Sequence, residues 1–239
     1  MIFLTEIAQE AVNTEVLTNV VNAAEPVQES LNILELAMKG GWIMVVLALL
    51  SIIGIYIFVE RFMTLRKSMQ KNPYLLDRIK DNLRDNDVKS AVNYCENMNT
   101  PTSRILAKGV RDYRLDASSI RQVLENNAGL EIAALEKGLP VLSTIAAVAP
   151  MLGFLGTVTG MVQAFWQMSN AGNNIDVTLL SGGIYEAMVT TVGGLVVGII
   201  AIFAYNYLVA QVDRVQNLME ADMIGLLEII AEEKNGSAE

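Results

Sequence analysis

Apolar and charged positions in this chain are sorted into long blocks. No charged residue lies between Gly41 and Val59, none between Gly138 and Ile175, and none between Ala187 and Val212. A helix rises about 1.5 Å per residue, so about 20 apolar residues cross the hydrocarbon core of a bilayer. The blocks predict spans over 42–62, 140–167 and 179–208, the last interrupted only by Glu186. Hydrocarbon offers no partners to backbone N–H and C=O groups, so each span is expected to be helical. A chain of 239 residues is too small to bury three such helices as a soluble core.

The stretches between spans also read as helix. Residues 1–41 place Val16, Val20 and Val21, then Leu31, Leu34 and Met38, at helical spacing with a break at Pro26, as in an amphipathic arm. In 63–139, Asn72-Pro73 and Thr100-Pro101 resemble N-caps with Pro at the first helical position. Leu75, Leu76, Ile79 and Leu83 follow the first on one face, and Ile105, Leu106 and Val110 follow the second. Asp116 can cap a longer helix through Ile120, Val123, Leu124 and Leu130. The tail, 209–239, prolongs the last span with Val212, Val215, Leu218, Met219 and Met223. The expected fold class is all-α: three transmembrane helices extended into a helical bundle, with a loop at 168–178.

Charge adds orientation. Lys39 alone precedes the first span, whereas Arg61, Arg66, Lys67 and Lys71 follow it closely and ten more bases lie before Leu139. The loop 168–178 carries no base, and Arg214 follows the last span. By the positive-inside rule the arm and the short loop lie outside, the 63–139 domain and the tail inside. In a bacterium these sides are periplasm and cytoplasm. Acids punctuate the first 39 residues, which excludes a secretory signal there. The lone Cys95 forms no internal disulfide and would face a reducing compartment.

Composition narrows the chemistry. The chain has no histidine, which removes imidazole acid–base catalysis and histidine metal sites. A net charge of −9 argues against nucleic-acid binding. Gly153, Gly156 and Gly160 lack the spacing and strand context of a dinucleotide turn. No enzyme, cofactor or metal site is expected.

Two stretches are specific. The first, Ala149-Pro150-Met151-Leu152-Gly153-Phe154-Leu155-Gly156-Thr157-Val158-Thr159-Gly160, carries a Gly-x-x-x-Gly pair that lets helix backbones approach closely. The second, Gly182 to Leu195, contains Glu186, Thr190, Thr191, Gly193 and Gly194, with Gly198 one turn on. Apart from Glu60 and Arg61 at the end of the first, Glu186 is the one charged side chain inside the predicted spans. A carboxylate at bilayer depth costs several kcal/mol unless it faces protein or water, which makes it a functional candidate. The bland alternative places it at a span boundary in contact with water. Thr190 stands about 40° round the helix from Glu186, with Thr191 on a neighbouring face. The glycines Gly153, Gly156, Gly160, Gly194 and Gly198 are expected to pack helices and, through them, subunits around a central pore.

The string at Gly153–Gly160 together with Glu186-Ala187-x-x-Thr190-Thr191 resembles the signature of the MotA/TolQ/ExbB proton-channel family. The three-span layout resembles its ExbB/TolQ branch over about residues 36–230. The resemblance implies a homo-oligomer, a pentamer in ExbB, in the bacterial inner membrane. The ring surrounds a one-span ExbD- or TolR-like partner whose membrane Asp carries protons, and the work goes to a TonB-like protein that opens outer-membrane receptors. It implies pore roles for Glu186, Thr157 and Thr191, and it puts Thr190 where a small apolar residue is expected. The long arm favours ExbB over a TolQ-like subunit of the Tol-Pal system. A non-conducting membrane scaffold would use the glycines but leave Glu186 without a role.

Overall fold

The computed structural model describes residues 41–69, 73–170 and 177–236. The expected arm up to residue 40, Asn72, and residues 171–176 of the short loop lie outside these residues. Among the described residues there are seven α-helices and no strand. They are α1 (Gly41–Ser68), α2 (Leu75–Arg84), α3 (Val88–Met98), α4 (Pro101–Arg111), α5 (Ala117–Glu136), α6 (Leu139–Asn170) and α7 (Val177–Gly236).

Three of them, α1, α6 and α7, are long and apolar enough to cross a membrane. Their outward faces carry large apolar side chains with no cover, such as Ile52, Tyr56, Met151, Phe154 and Phe203. Patches of that size would be a liability in water and are the expected surface in lipid. The protein is an all-helical membrane protein.

Three of the four helices between α1 and α6 are started by side chains. The exception is α2, which begins at Leu75 with Pro73 and Tyr74 in the turn before it and no side-chain cap, so the expected start with Pro73 at the first helical position is corrected. Thr100 and Ser103 form a reciprocal capping box at α4: the Ser103 N–H donates to Thr100 Oγ1 at 3.2 Å, and the Thr100 N–H to Ser103 Oγ at 3.1 Å. Pro101 follows at the first helical position. Asp116 accepts the Ser119 N–H at 3.0 Å and so opens α5. Asp87 accepts the Ser90 N–H at 3.1 Å and opens α3. That last helix has no counterpart in the sequence reading, which passed from the Leu83 face directly to Thr100. The Asp87-x-x-Ser90 start and the Ala91, Val92 and Cys95 face were its signal. Asn86 and Asn99, both at positive φ, close α2 and α3.

These helices wrap the inner ends of α1 and α7. Leu65, Ile79, Ile105, Leu106, Val110, Ile120, Leu124, Leu208, Val215, Met219 and Leu226 form one buried core. Each such side chain contributes about 1.5–3 kcal/mol on burial, enough to hold four short helices that would not persist alone. Gly109 permits the closest approach: a side chain there would begin 2.7 Å from Leu124 Cδ2 and 2.9 Å from Leu226 Cδ2. A sharp corner at Gly138, φ +90°, turns α5 into α6, and Arg61 on α1 donates to the Ala134 carbonyl just before it at 3.1 Å.

The most extensive contact is between α6 and α7. Small residues make it. A Cβ on Gly194 would stand 2.5 Å from the Ala149 carbonyl oxygen, and one on Gly153 2.9 Å from the Thr190 carbonyl oxygen. Gly198 accommodates the ring of Pro150, whose Cγ lies 2.6 Å from where a Cβ would be. Pro150 has no N–H to give its own helix, so its ring needs this recess in the neighbour.

Candidate functional site

The α6–α7 seam decides where each candidate side chain can go. On α7, Gly183, Ala187, Thr190, Gly194 and Gly198 recur every three or four residues and face α6. The glycines Gly153, Gly156, Gly160, Gly194 and Gly198 are therefore spent on packing within one chain. Gly153, Gly156, Gly194 and Gly198 are buried by this contact within the chain, while Gly160 stays partly exposed. Thr190 belongs to the same seam. It is buried, fits against Gly156, and donates to the Ala187 carbonyl one turn back at 2.7 Å.

Thr157 and Thr191 form the polar link across the seam. Their hydroxyl oxygens are 3.0 Å apart. Thr157 Oγ1 donates to the Phe154 carbonyl at 2.7 Å, and Thr191 Oγ1 reaches the Gly153 carbonyl at 3.0 Å. A hydroxyl has one proton and two lone pairs, so Thr191 chooses between Gly153 and Thr157 as acceptor. Thr159, by contrast, is exposed and bonds its own helix at the Leu155 carbonyl, 2.9 Å away. Such back-bonding is ordinary for a membrane threonine.

Glu186 lies on another face of α7. It is exposed on the single chain, and its carboxylate rests against the first residue of α1: Oε1 is 2.6 Å from where a Cβ on Gly41 would stand. Two turns further along the same face, Gly193 receives Met44 of α1, whose Sδ is 3.0 Å from the glycine's Cβ position. Glu186 thus sits level with the start of the apolar run of α1, while Thr190, four residues on, turns into α6. The Glu186–Gly41 contact was not foreseen from the sequence. Nothing in a pattern of spans tells which helix end meets which carboxylate.

Outside the spans the ionisable groups have structural explanations. Burial pushes the Cys95 thiol up to about 11, which keeps it protonated and inert. The Ser118 and Ser119 hydroxyls hold Asp116 well below the usual carboxylate range, and Ser90 lowers Asp87 in the same way. Arg104 pairs with Glu131 through two bonds of 2.7 and 2.5 Å. Among the described residues no group of three or more Cys, Asp or Glu side chains could hold a metal ion.

Comparison with known proteins bears on this arrangement. The profile of the MotA/TolQ/ExbB proton channel family matches residues 97–221, which takes in α4, α5, α6 and most of α7. A putative biopolymer transport protein ExbB homolog of Methanothermobacter thermautotrophicus is 30% identical over 182 residues, 76% of this chain and 64% of that protein. The chain thus spans a little under two thirds of that relative's length. The biopolymer transport protein ExbB of Neisseria meningitidis is 29% identical over 180 residues, 70% of this chain and 80% of its own. The Tol-Pal system protein TolQ of Haemophilus influenzae is 38% identical over a shorter 86 residues, 36% of this chain and 37% of its own.

Proposed function

The chain belongs to the MotA/TolQ/ExbB proton channel family, and on that premise we propose that it is the ring-forming subunit of an ion-driven motor in the bacterial inner membrane, of ExbB type. Several copies, five in the simplest reading, surround the membrane helix of a one-span ExbD-like partner that contributes an Asp. The complex energises a TonB-like protein and, through it, transport across the outer membrane. The arm lies in the periplasm; the α2–α5 bundle and the end of α7 lie in the cytoplasm.

One observation carries this reading: a hydroxyl pair, Thr157 and Thr191, linked at 3.0 Å across two otherwise apolar membrane helices, with Glu186 little more than a turn away on α7. The two hydroxyls bring donors and acceptors, but no charge, to the membrane interior. A carboxylate exposed on the isolated subunit needs protein or water beside it in the assembly, because facing lipid costs it several kcal/mol. A pore supplies that. When a proton neutralises the partner's Asp, the cost of moving that side chain past the belt falls. Each elementary charge crossing 100 mV supplies about 2.3 kcal/mol, enough to bias a step between packed helices.

The Haemophilus TolQ match supports a second reading, a TolQ-like subunit of a Tol-Pal system. The test is to measure solute uptake and oligomer size together for Glu186→Ala and Glu186→Gln. Both substitutions are expected to abolish driven uptake while the oligomer persists. Normal uptake by Glu186→Ala would sink the proposal. Intact uptake systems beside a leaky, chaining envelope would favour the TolQ reading. Orientation is checked by placing single cysteines as Asn19→Cys and Asn97→Cys in a Cys95→Ser background: impermeant reagent should reach the first from outside and the second only from inside.

A further inference from the structure

Gly41 is the first residue of α1, and its φ of +61° is one that residues with a side chain rarely adopt. The same residue faces the Glu186 carboxylate. A Cβ built on it would lie 2.6 Å from Oε1 and 3.8 Å from Cδ, where ordinary van der Waals contact needs more than 3.4 Å. We propose that Gly41 is a positioning residue for Glu186: its bare Cα leaves the recess against which the carboxylate rests, and so fixes where the acid stands relative to α1. The proposal deepens the reading of Glu186 as the pore carboxylate and rests on it.

The start of α1 is not free to yield. Ile43 and Leu47 are 4% and 2% exposed and pack with Ala149 of α6. Met44 fills the space over Gly193, and Leu47 Cδ1 lies 3.9 Å from the same glycine's Cβ position. With α1 anchored on both neighbours within its first two turns, the only mobile party at Gly41 is the Glu186 side chain. Any side chain at 41 therefore moves the carboxylate to another rotamer, out of the recess. The glycine serves two ends at once, the backbone conformation and the room for the acid. These two must be told apart by experiment.

The experiment uses the full complex in membranes, with three readouts: driven solute uptake, oligomer size, and the rate at which dicyclohexylcarbodiimide modifies the carboxyl at position 186, followed by mass spectrometry. The variants are Gly41→Ala, Gly41→Asn, Glu186→Asp and each 41/186 pair. Gly41→Ala is expected to reduce uptake about tenfold with the oligomer intact, since misplacing a working group by an ångström costs up to roughly 10²-fold. It should also change the modification rate at Glu186. Asp is one methylene shorter and does not reach the recess, so in the Glu186→Asp background the same substitution should cost less than about twofold. Gly41→Asn tolerates positive φ yet adds a Cβ; it should behave like Gly41→Ala, and it carries the test if the alanine variant does not assemble. An equal penalty in both backgrounds, or an unchanged modification rate at Glu186, would overturn the proposal and leave Gly41 a backbone residue only. Uptake that survives Glu186→Ala would instead end the pore reading, while the modification rates would still decide whether Gly41 positions the acid.

Discussion

Thr191 has a single hydroxyl proton and two acceptors within reach, Gly153 O and Thr157 Oγ1, both at 3.0 Å. Thr191→Val removes that choice and leaves Thr157 with only its own helix to bond. The expected result is a several-fold loss of driven uptake with normal assembly, and Thr191→Ser should restore most of it. Thr190→Val makes the contrasting case. That hydroxyl is buried in the seam and bonds only backbone, so its loss should cost about 1 kcal/mol of stability, read as a lowered unfolding midpoint, and change uptake little. Glu186 stood out in the sequence as a charge within an apolar run, whereas Thr157 and Thr191 were singled out only by the family resemblance. The division of labour between Thr190 and Thr191 was not legible there. It depends on which side of α7 meets α6, and a 100° difference between successive residues does not say which. The Gly41 recess was hidden for the same reason, being a contact between residues far apart in the chain.

Helix starts were more legible. Thr100-Pro101 and Asp116 announced α4 and α5 through local chemistry that needs no tertiary partner. The same chemistry gives a pH response. Hydrogen bonds from serines depress the Asp116 and Asp87 carboxyls in the folded state. The stability they contribute is therefore present above the unfolded carboxylate value of about 3.9 and is lost as pH falls from there toward the folded value. Protection factors at the first turns of α3 and α5, taken relative to intrinsic exchange at each pH, should fall between about pH 5 and pH 2, ahead of those at the α4 start, whose Thr100–Ser103 box does not titrate. Within the seam, Gly156→Ala would drive a methyl into Thr190. Overpacking of this kind costs about 1–3 kcal/mol, measurable as a lowered unfolding midpoint in detergent. Its effect should fall on the subunit itself and leave the oligomer that does form the same size. Cys95, buried in α3 with its thiol raised to about 11, should resist maleimide at pH 8 until the domain unfolds.

At the scale of the molecule, charge exclusion carried nearly all of the fold: three apolar blocks became α1, α6 and α7. The apolar spacing of the tail also announced that the last span continues, and α7 runs unbroken for 60 residues. Continuity there comes from the absence of proline after Tyr205 and from the buried row Leu208, Val212, Val215, Met219 and Leu226, with Gly225 packed beneath Leu76. If the proposed ring is right, subunits meet through side chains the chain itself leaves uncovered. Native mass spectrometry in mild detergent should then give one closed oligomer, and a population of monomers alone would count against it.

The length of α7 has a mechanical meaning. At about 1.5 Å per residue it is a rod of about 90 Å, of which about 68 Å lies beyond Thr191, so a tilt of about 5° there would sweep the far end through about 6 Å. That far end is not loose. Glu232 holds Lys80 of α2 at 2.6 Å, and Lys234 holds the Leu115 carbonyl between α4 and α5. The firmer tie is the core that packs Val215, Met219 and Leu226 of α7 against the short helices, which joins the bundle to the rod. If the subunit works as the proposed motor, a small stroke inside the bilayer would be geared up into a larger displacement at the opposite end.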